Sequence, residues 1–145
     1  MDTSVHFSSA SDDWPTPQDF FDDLNREFNF TLDPCSDEKN HKCASFFTAA
    51  DDGLSQEWTG RVFMNPPYGR TIGKWMQKAF ESVSTSCEVV VCLVPARTDT
   101  AWWHDYAMKG EVRYIRGRLK FGGHKNSAPF PNAVVIFRNP FADIC

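Results

Sequence analysis

Residues 88–95 read Glu-Val-Val-Val-Cys-Leu-Val-Pro, seven positions without a polar side chain after the opening glutamate. A β-branched run without alternation is the signature of a strand buried on both faces, and such a strand needs cover on either side. The flanking sequence supplies that cover. IGKWMQKAFESV has helical spacing at Ile72, Trp75, Met76, Ala79 and Val83, and WPTPQDFFDDLNREF predicts a helix. Its start is marked by Thr16 as N-cap, Pro17 at the first helical position and Asp19 in the first turn, with Phe20, Phe21, Leu24 and Phe28 as the buried stripe. FNFTLD reads as a short strand breaking at Asp33-Pro34, followed by a loop or short helix to Phe46-Phe47. The turn-rich DDGLSQEWTG leads to a strand ending at Met64. A short helix around AWWHDYAM and strands at EVRYIR and NAVVIFR complete the chain.

Strands alternating with helices predict an α/β fold with a mostly parallel central sheet and helices on both faces. The last strand arrives through a loop, which leaves it free to pair antiparallel with the strand before it. With 145 residues, the expectation is one domain over 13–140 behind a mobile tail over 1–12. The amino terminus is polar and acidic, and no apolar run is long enough to span a bilayer, so the expectation is a cytoplasmic protein with no membrane partner. Five cysteines in no CxxC pattern predict reduced thiols. Cys35, His41 and Cys43 lack a fourth ligand nearby, so no metal is expected.

The net charge of −4 hides a division. Residues 1–60 carry −10 and residues 61–145 carry +6, and within 109–125 six Lys or Arg face a single Glu. A basic segment of that kind is a candidate polyanion contact.

One strand end carries more chemistry than a turn requires. Val62-Phe63-Met64 runs into Asn65-Pro66-Pro67-Tyr68. Two prolines stop a sheet ladder, yet stopping a strand needs neither an amide before them nor an aromatic ring after them. In an open α/β sheet, ligands bind outside the carboxyl ends of the strands. Asp33, Asn65 and the stretch 95–99 all lie at such ends and should be neighbours.

Asn65-Pro66-Pro67-Tyr68 resembles the NPPY motif of S-adenosylmethionine-dependent amino-methyltransferases. Around it stand Trp14-Pro15-Thr16-Pro17, Leu32-Asp33-Pro34, Asp52-Gly53-Leu54 with Trp58, and Arg116-Gly117-Arg118-Leu119-Lys120-Phe121. Their order is similar to that of the small phage-type (Dam-like) DNA N6-adenine methyltransferases, across residues 13–138. The resemblance implies a trimmed Rossmann-like fold, S-adenosylmethionine as cofactor, double-stranded DNA as partner and no obligate protein partner. It also implies a phage or prophage setting, with host mimicry, protection from restriction or another purpose all open as the role of the methylation.

By the same resemblance, Asn65, Pro66, Pro67 and Tyr68 are the catalytic residues, with the Asn65 side chain and the Pro66 carbonyl as acceptors for the two hydrogens of adenine N6. Tyr68 and Phe121 would stack a flipped base. Trp14, Thr16, Asp33 and Pro34 would line the methionine end of the cofactor, and Asp52 would meet its adenine. Arg113, Arg116, Arg118, Lys120 and Lys125 would contact DNA, with His124 on the same glycine loop. The chain departs from a full-length fold in two ways: only 31 residues separate Asp33 from Asn65, and Pro34-Cys35-Ser36-Asp37 replaces the usual glycine-rich turn. Asp37 and Glu38 are then the candidates for the ribose. Two alternatives stay open: the same chemistry on cytosine N4 or a glutamine amide, and a non-catalytic nucleic-acid-binding module.

Overall fold

The computed structural model describes residues 14–121 and 127–141, so the tail expected over 1–12, together with His124 and Lys125, lies outside the described residues. The elements are α1 (Gln18–Phe28), β1 (Leu32–Asp33), β2 (Ser45–Phe46), β3 (Gly60–Met64), α2 (Ile72–Ser82), β4 (Cys87–Pro95), α3 (Ala101–Asp105), β5 (Glu111–Tyr114) and β6 (Asn132–Arg138), with 3-10 turns at Gly53–Ser55 and Ala107–Lys109. The strands form one mixed sheet in the order β2-β1-β3-β4-β6-β5.

The apolar run is the middle of that sheet. Val89 to Pro95 are all buried, parallel to β3 on one side and antiparallel to β6 over seven residue pairs on the other. β6 therefore inserts between β4 and β5, antiparallel to both. A loop connection can double back beside its origin in this way, whereas a parallel partner would need a crossover.

Register assigns the two faces. Val62, Val90 and Phe137 are cross-strand partners and share one face, while Phe63, Val91 and Ile136 share the other. Phe80 of α2 meets Phe137 edge-on at 5.7 Å, and Phe21 of α1 meets Phe63 edge-on at 5.1 Å. The two long helices thus cover opposite faces, as a doubly buried β4 requires.

Three local expectations are corrected. α1 begins at Gln18 with Pro17 in the N-cap position and no side-chain cap, so Thr16 does not cap it. The segment expected as a loop or short helix before Phe47 contains β2, a two-residue edge strand parallel to β1. The FNFTLD strand is reduced to Leu32 and Asp33.

So short a β1 is held in place by the 3-10 turn at Gly53. The Gly53 carbonyl accepts the indole N–H of the fully buried Trp58 at 2.9 Å, and a Cβ on Gly53 would stand 2.1 Å from the Pro34 carbonyl oxygen. Only glycine allows this turn to close against the end of β1. Gly53→Ala should lower stability by about 1–3 kcal/mol as the backbone is forced apart. Gly73→Ala is the contrasting case, because the nearest atom there lies at an ordinary 3.6 Å and the position is helical. Thermal unfolding of both variants checks the difference; equal melting temperatures would mean that Pro34 yields without strain.

Candidate active site

A cleft of about 650 Å³ opens beyond the carboxyl ends of β1 and β3. Its walls include Asp33, Asp52, Asn65, Pro66 and Pro67, with Trp14, Thr16 and Pro34 on the same lining. The strand-end residues expected to be neighbours are so because β1, β3 and β4 are consecutive in the sheet. The volume lies in the range of small-molecule sites.

Asp33 is 4 % exposed. Its Oδ2 accepts the Lys42 N–H at 2.9 Å. Burial pushes its pKa up; N–H donation from Lys42, the Ser36 hydroxyl and the Cys35 N–H oppose that rise without cancelling it. A buried carboxylate whose charge is not neutralised is well suited to receive a cation.

Asn65 is clamped rather than free. Its Nδ2 donates to the Trp14 carbonyl at 2.5 Å and to the Thr16 hydroxyl at 2.9 Å. A carbonyl oxygen can only accept, so the amide nitrogen must face Trp14, and Oδ1 is left on the other side. That oxygen is buried and has no hydrogen-bond partner among the described residues. The Cys35 thiol donates to the Asn65 carbonyl at 3.1 Å, tying the end of β1 to the end of β3. No described donor reaches the Pro66 carbonyl.

The Tyr68 ring does not line the cleft. It is 3 % exposed, its hydroxyl donates to the Leu93 carbonyl at 3.0 Å, and burial pushes its pKa well up, which keeps it a phenol. Phe130 and Phe121 meet it edge-on at 5.5 and 6.3 Å. Trp14 closes the group, 5.1 Å from Phe130 and 5.4 Å from Phe121. Phe121, expected as a stacking residue, is 1 % exposed and is a core residue, whereas Phe130 and Trp14 are only half-buried.

The remaining expected residues divide. Asp52 lines the cleft, exposed, on a left-handed backbone with φ 56°. Asp37 also lines it, but its carboxylate accepts from the Lys39 and Asn40 N–H groups, and Glu38 is exposed outside it. Arg116, Arg118 and Lys120 are exposed, with Arg118 reaching the Ala128 carbonyl. Arg113 departs from the expectation of a DNA contact: its guanidinium forks onto Glu27 at 2.7 and 2.8 Å and onto Glu111 at 2.6 Å. These hydrogen bonds hold both carboxyls below their usual range. His41 stacks flat on Phe46 at 3.9 Å, and its Nδ1 lies 2.7 Å from the Cys43 carbonyl.

Two further contributors stand at the corner, Asn132, which sequence reasoning missed, and Arg97, which lies in the strand-end stretch 95–99. Asn132, 2 % exposed at the start of β6, donates to the Tyr68 hydroxyl at 3.3 Å and the Val94 carbonyl at 3.1 Å. Arg97 donates to the Tyr68 carbonyl at 3.2 Å. Both brace the corner, Arg97 from the strand end expected to lie there and Asn132 with no signal in the sequence.

The DNA N-6-adenine-methyltransferase (Dam) family matches residues 3–143. The DNA N-6-adenine-methyltransferase of Haemophilus phage HP1 is 34% identical over 140 residues, covering 89% of this chain and 80% of that protein. YfdM of Escherichia coli (strain K12), which carries a methyltransferase name, is 40% identical over 67 residues, covering 41% of this chain and 74% of that protein. The crystal structure of Thermoplasma acidophilum 1320 aligns at 20% identity with a TM-score of 0.42, over 77% of this chain and 67% of that one. With its family matched over almost the whole length and a phage relative aligned across most of both chains, this chain belongs to the DNA N-6-adenine-methyltransferase (Dam) family.

Proposed function

We propose that the chain transfers a methyl group from S-adenosylmethionine to N6 of an adenine flipped out of a short duplex DNA site. The observation that carries this reading is the Asn65 amide, whose nitrogen is consumed by Trp14 and Thr16 and whose buried oxygen has no partner among the described residues. A buried acceptor left unmade costs about 1–3 kcal/mol, and such a cost persists where a ligand later supplies the donor. Adenine N6 carries two hydrogens. Asn65 Oδ1 takes one and the Pro66 carbonyl the other, which favours the pyramidal nitrogen that can attack. Both acceptors are fixed before the substrate arrives, one by the clamp and one by the proline corner. The same arrangement favours a primary amine with two hydrogens over the non-catalytic alternative.

Asp33, with a buried negative charge, suits the cofactor's ammonium, and Asp52 suits its adenine amino group. Trp14, Thr16 and Pro34 would line the methionine end. When bound, S-adenosylmethionine would supply an electrophilic methyl whose sulfonium leaves as a neutral thioether, and the proton then carried by the methylated N6 passes to solvent, so the chain needs no dedicated general base. Base entry has to part the four-ring group, and the half-buried Trp14 and Phe130 are the rings that can move. Phe130, in place of Phe121, then takes the second stacking face beside Tyr68. Arg116, Arg118 and Lys120 remain candidate DNA contacts on the exposed segment leading to Phe121.

Asn65→Ala should reduce the single-turnover methyl-transfer rate by two or more orders of magnitude, about 3 kcal/mol for removal of a preorganised acceptor, with a much smaller effect on DNA affinity. Asn65→Asp keeps an acceptor toward the substrate but sets its second oxygen 2.5 Å from the Trp14 carbonyl, an approach tolerable only when the carboxyl is protonated. Its activity should therefore exceed that of Asn65→Ala at low pH and decline as pH rises. A wild-type rate for Asn65→Ala refutes the assignment.

Asp33 predicts a second pH effect. Because its pKa is raised on folding, its contribution to stability is full below the unfolded pKa and is lost as pH rises through the folded value. Cofactor binding needs the ionised form and should run the opposite way, weakening as pH falls through that raised pKa. Asp33→Asn should keep or raise the melting temperature of the free protein while weakening S-adenosylmethionine at least tenfold and removing this pH dependence. Calorimetry across pH tests it; unchanged affinity in Asp33→Asn would exclude the ammonium role.

A further inference from the structure

Among the described residues four arginines are ion-paired and the other Lys and Arg side chains are not, so what distinguishes an unpaired cation is where it stands. Arg26, Arg61, Arg113 and Arg138 are each ion-paired with a carboxylate, at Asp23, Glu88, Glu27 or Glu111. Arg70, Lys74 and Arg97 form no ion pair among the described residues. These three line one groove of about 450 Å³, with Asp105 as its single acid and Ile72 and Trp102 as apolar wall.

The position of this groove gives it meaning. Pro66, Pro67 and Thr71 line the cleft, whereas Gly69, Arg70 and Ile72 line the groove. The turn over 66–71 is therefore a shared wall, with the Asn65 acceptor on one side and the free cations on the other. Arg97 is held at this boundary by its bond to the Tyr68 carbonyl, which spends one N–H and leaves the rest of a five-donor fork. Unpaired positive charges gathered beside a nucleotide-sized cleft match a phosphodiester chain, because a base reaching the cleft must leave its own phosphates outside it. In the six-cation segment over 109–125 suggested by sequence, Arg113 is already neutralised, and no described member of that segment lines the groove.

We propose that the groove of Arg70, Lys74 and Arg97 is the track for the phosphates flanking the flipped adenosine, on the DNA strand that carries it. This rests on the reading of the cleft as an adenine methyltransferase site and adds the surface that holds the strand in place. The groove binds backbone and carries no sequence information, so it contributes affinity and position, and specificity has to come from elsewhere on the chain.

The test is fluorescence anisotropy of a labelled unmethylated duplex titrated with full-length protein over a range of salt, which reads DNA binding without requiring methyl transfer. Arg70→Gln combined with Lys74→Gln should weaken binding at least tenfold at low salt. The slope of log affinity against log salt should shrink by about 0.9 for each phosphate that is no longer neutralised. Melting temperature and S-adenosylmethionine affinity should stay at wild-type values. Arg26→Gln, on the far ion pair with Asp23, should change none of these. An unchanged slope and affinity in the double variant would overturn the track while leaving methyl transfer intact, and a wild-type chain that binds no duplex would overturn it too. If the double variant loses DNA affinity as expected but the wild type transfers no methyl, the track stands and the methyltransferase reading fails.

Discussion

The site depends on one amide. Asn65 joins the segment before α1 to the end of β3, because Trp14 and Thr16 are separated from it by about fifty residues and accept hydrogen bonds from its Nδ2. The bond to the Trp14 carbonyl removes the usual ambiguity of an asparagine: nitrogen on one side dictates oxygen on the other. A side chain that would otherwise rotate is thereby turned into a fixed acceptor. Its cost is a buried oxygen without a donor among the described residues, which the fold tolerates because β4 and its neighbours bury far more apolar surface than one unmade bond can offset. The aromatic group closes over the same corner through Trp14, so the residue that orients the amide also takes part in covering Tyr68.

A sheet with two-residue strands at one edge would not ordinarily hold a site to sub-ångström tolerances. Here the ends of β1 and β3 are locked from three sides: Leu32 pairs with both Val62 and Ser45, the Cys35 thiol reaches the Asn65 carbonyl, and the Gly53 turn packs against Pro34. Trp58 fastens that turn from below through the Gly53 carbonyl. Loop contacts do here what strand length does in a larger sheet, which is how 31 residues between Asp33 and Asn65 suffice.

Whether an element was legible in the sequence depended on the range of its signal. β4 and α2 were legible because an unbroken apolar run and a 3.6 spacing are local patterns, and both persist in the structure. β2 was not, since two residues at an edge, one exposed and one half-buried, display no period. Thr16 before proline reads as a helix cap whether or not its hydroxyl is used there; its partner, 49 residues away, is what decides. Arg113 read as a DNA contact because its neighbours in sequence are basic, yet Glu27 neutralises it from 86 residues away. Asn132 looked like the polar start of a strand and turned out to hold the Tyr68 hydroxyl. The motif located the corner; long-range pairing determined which atoms there remain available.

The same pairing resolves how an acidic chain can engage a polyanion. Charge counted along the sequence puts the excess of cations in the second half, but a count does not distinguish a neutralised cation from an available one. Glu27 and Glu111 draw Arg113 and Arg138 into one network at the β5 edge, and Glu88 takes Arg61 near the start of β4. These pairs lie at exposed or half-exposed positions, where each contributes little to stability, so their larger effect is on where free charge remains. What remains includes Arg70, Lys74 and Arg97, on the side of the molecule where the NPPY corner opens. Salt screens such charges beyond roughly 10 Å, so the attraction a phosphate feels is set by that local surplus and hardly at all by the net −4 of the chain.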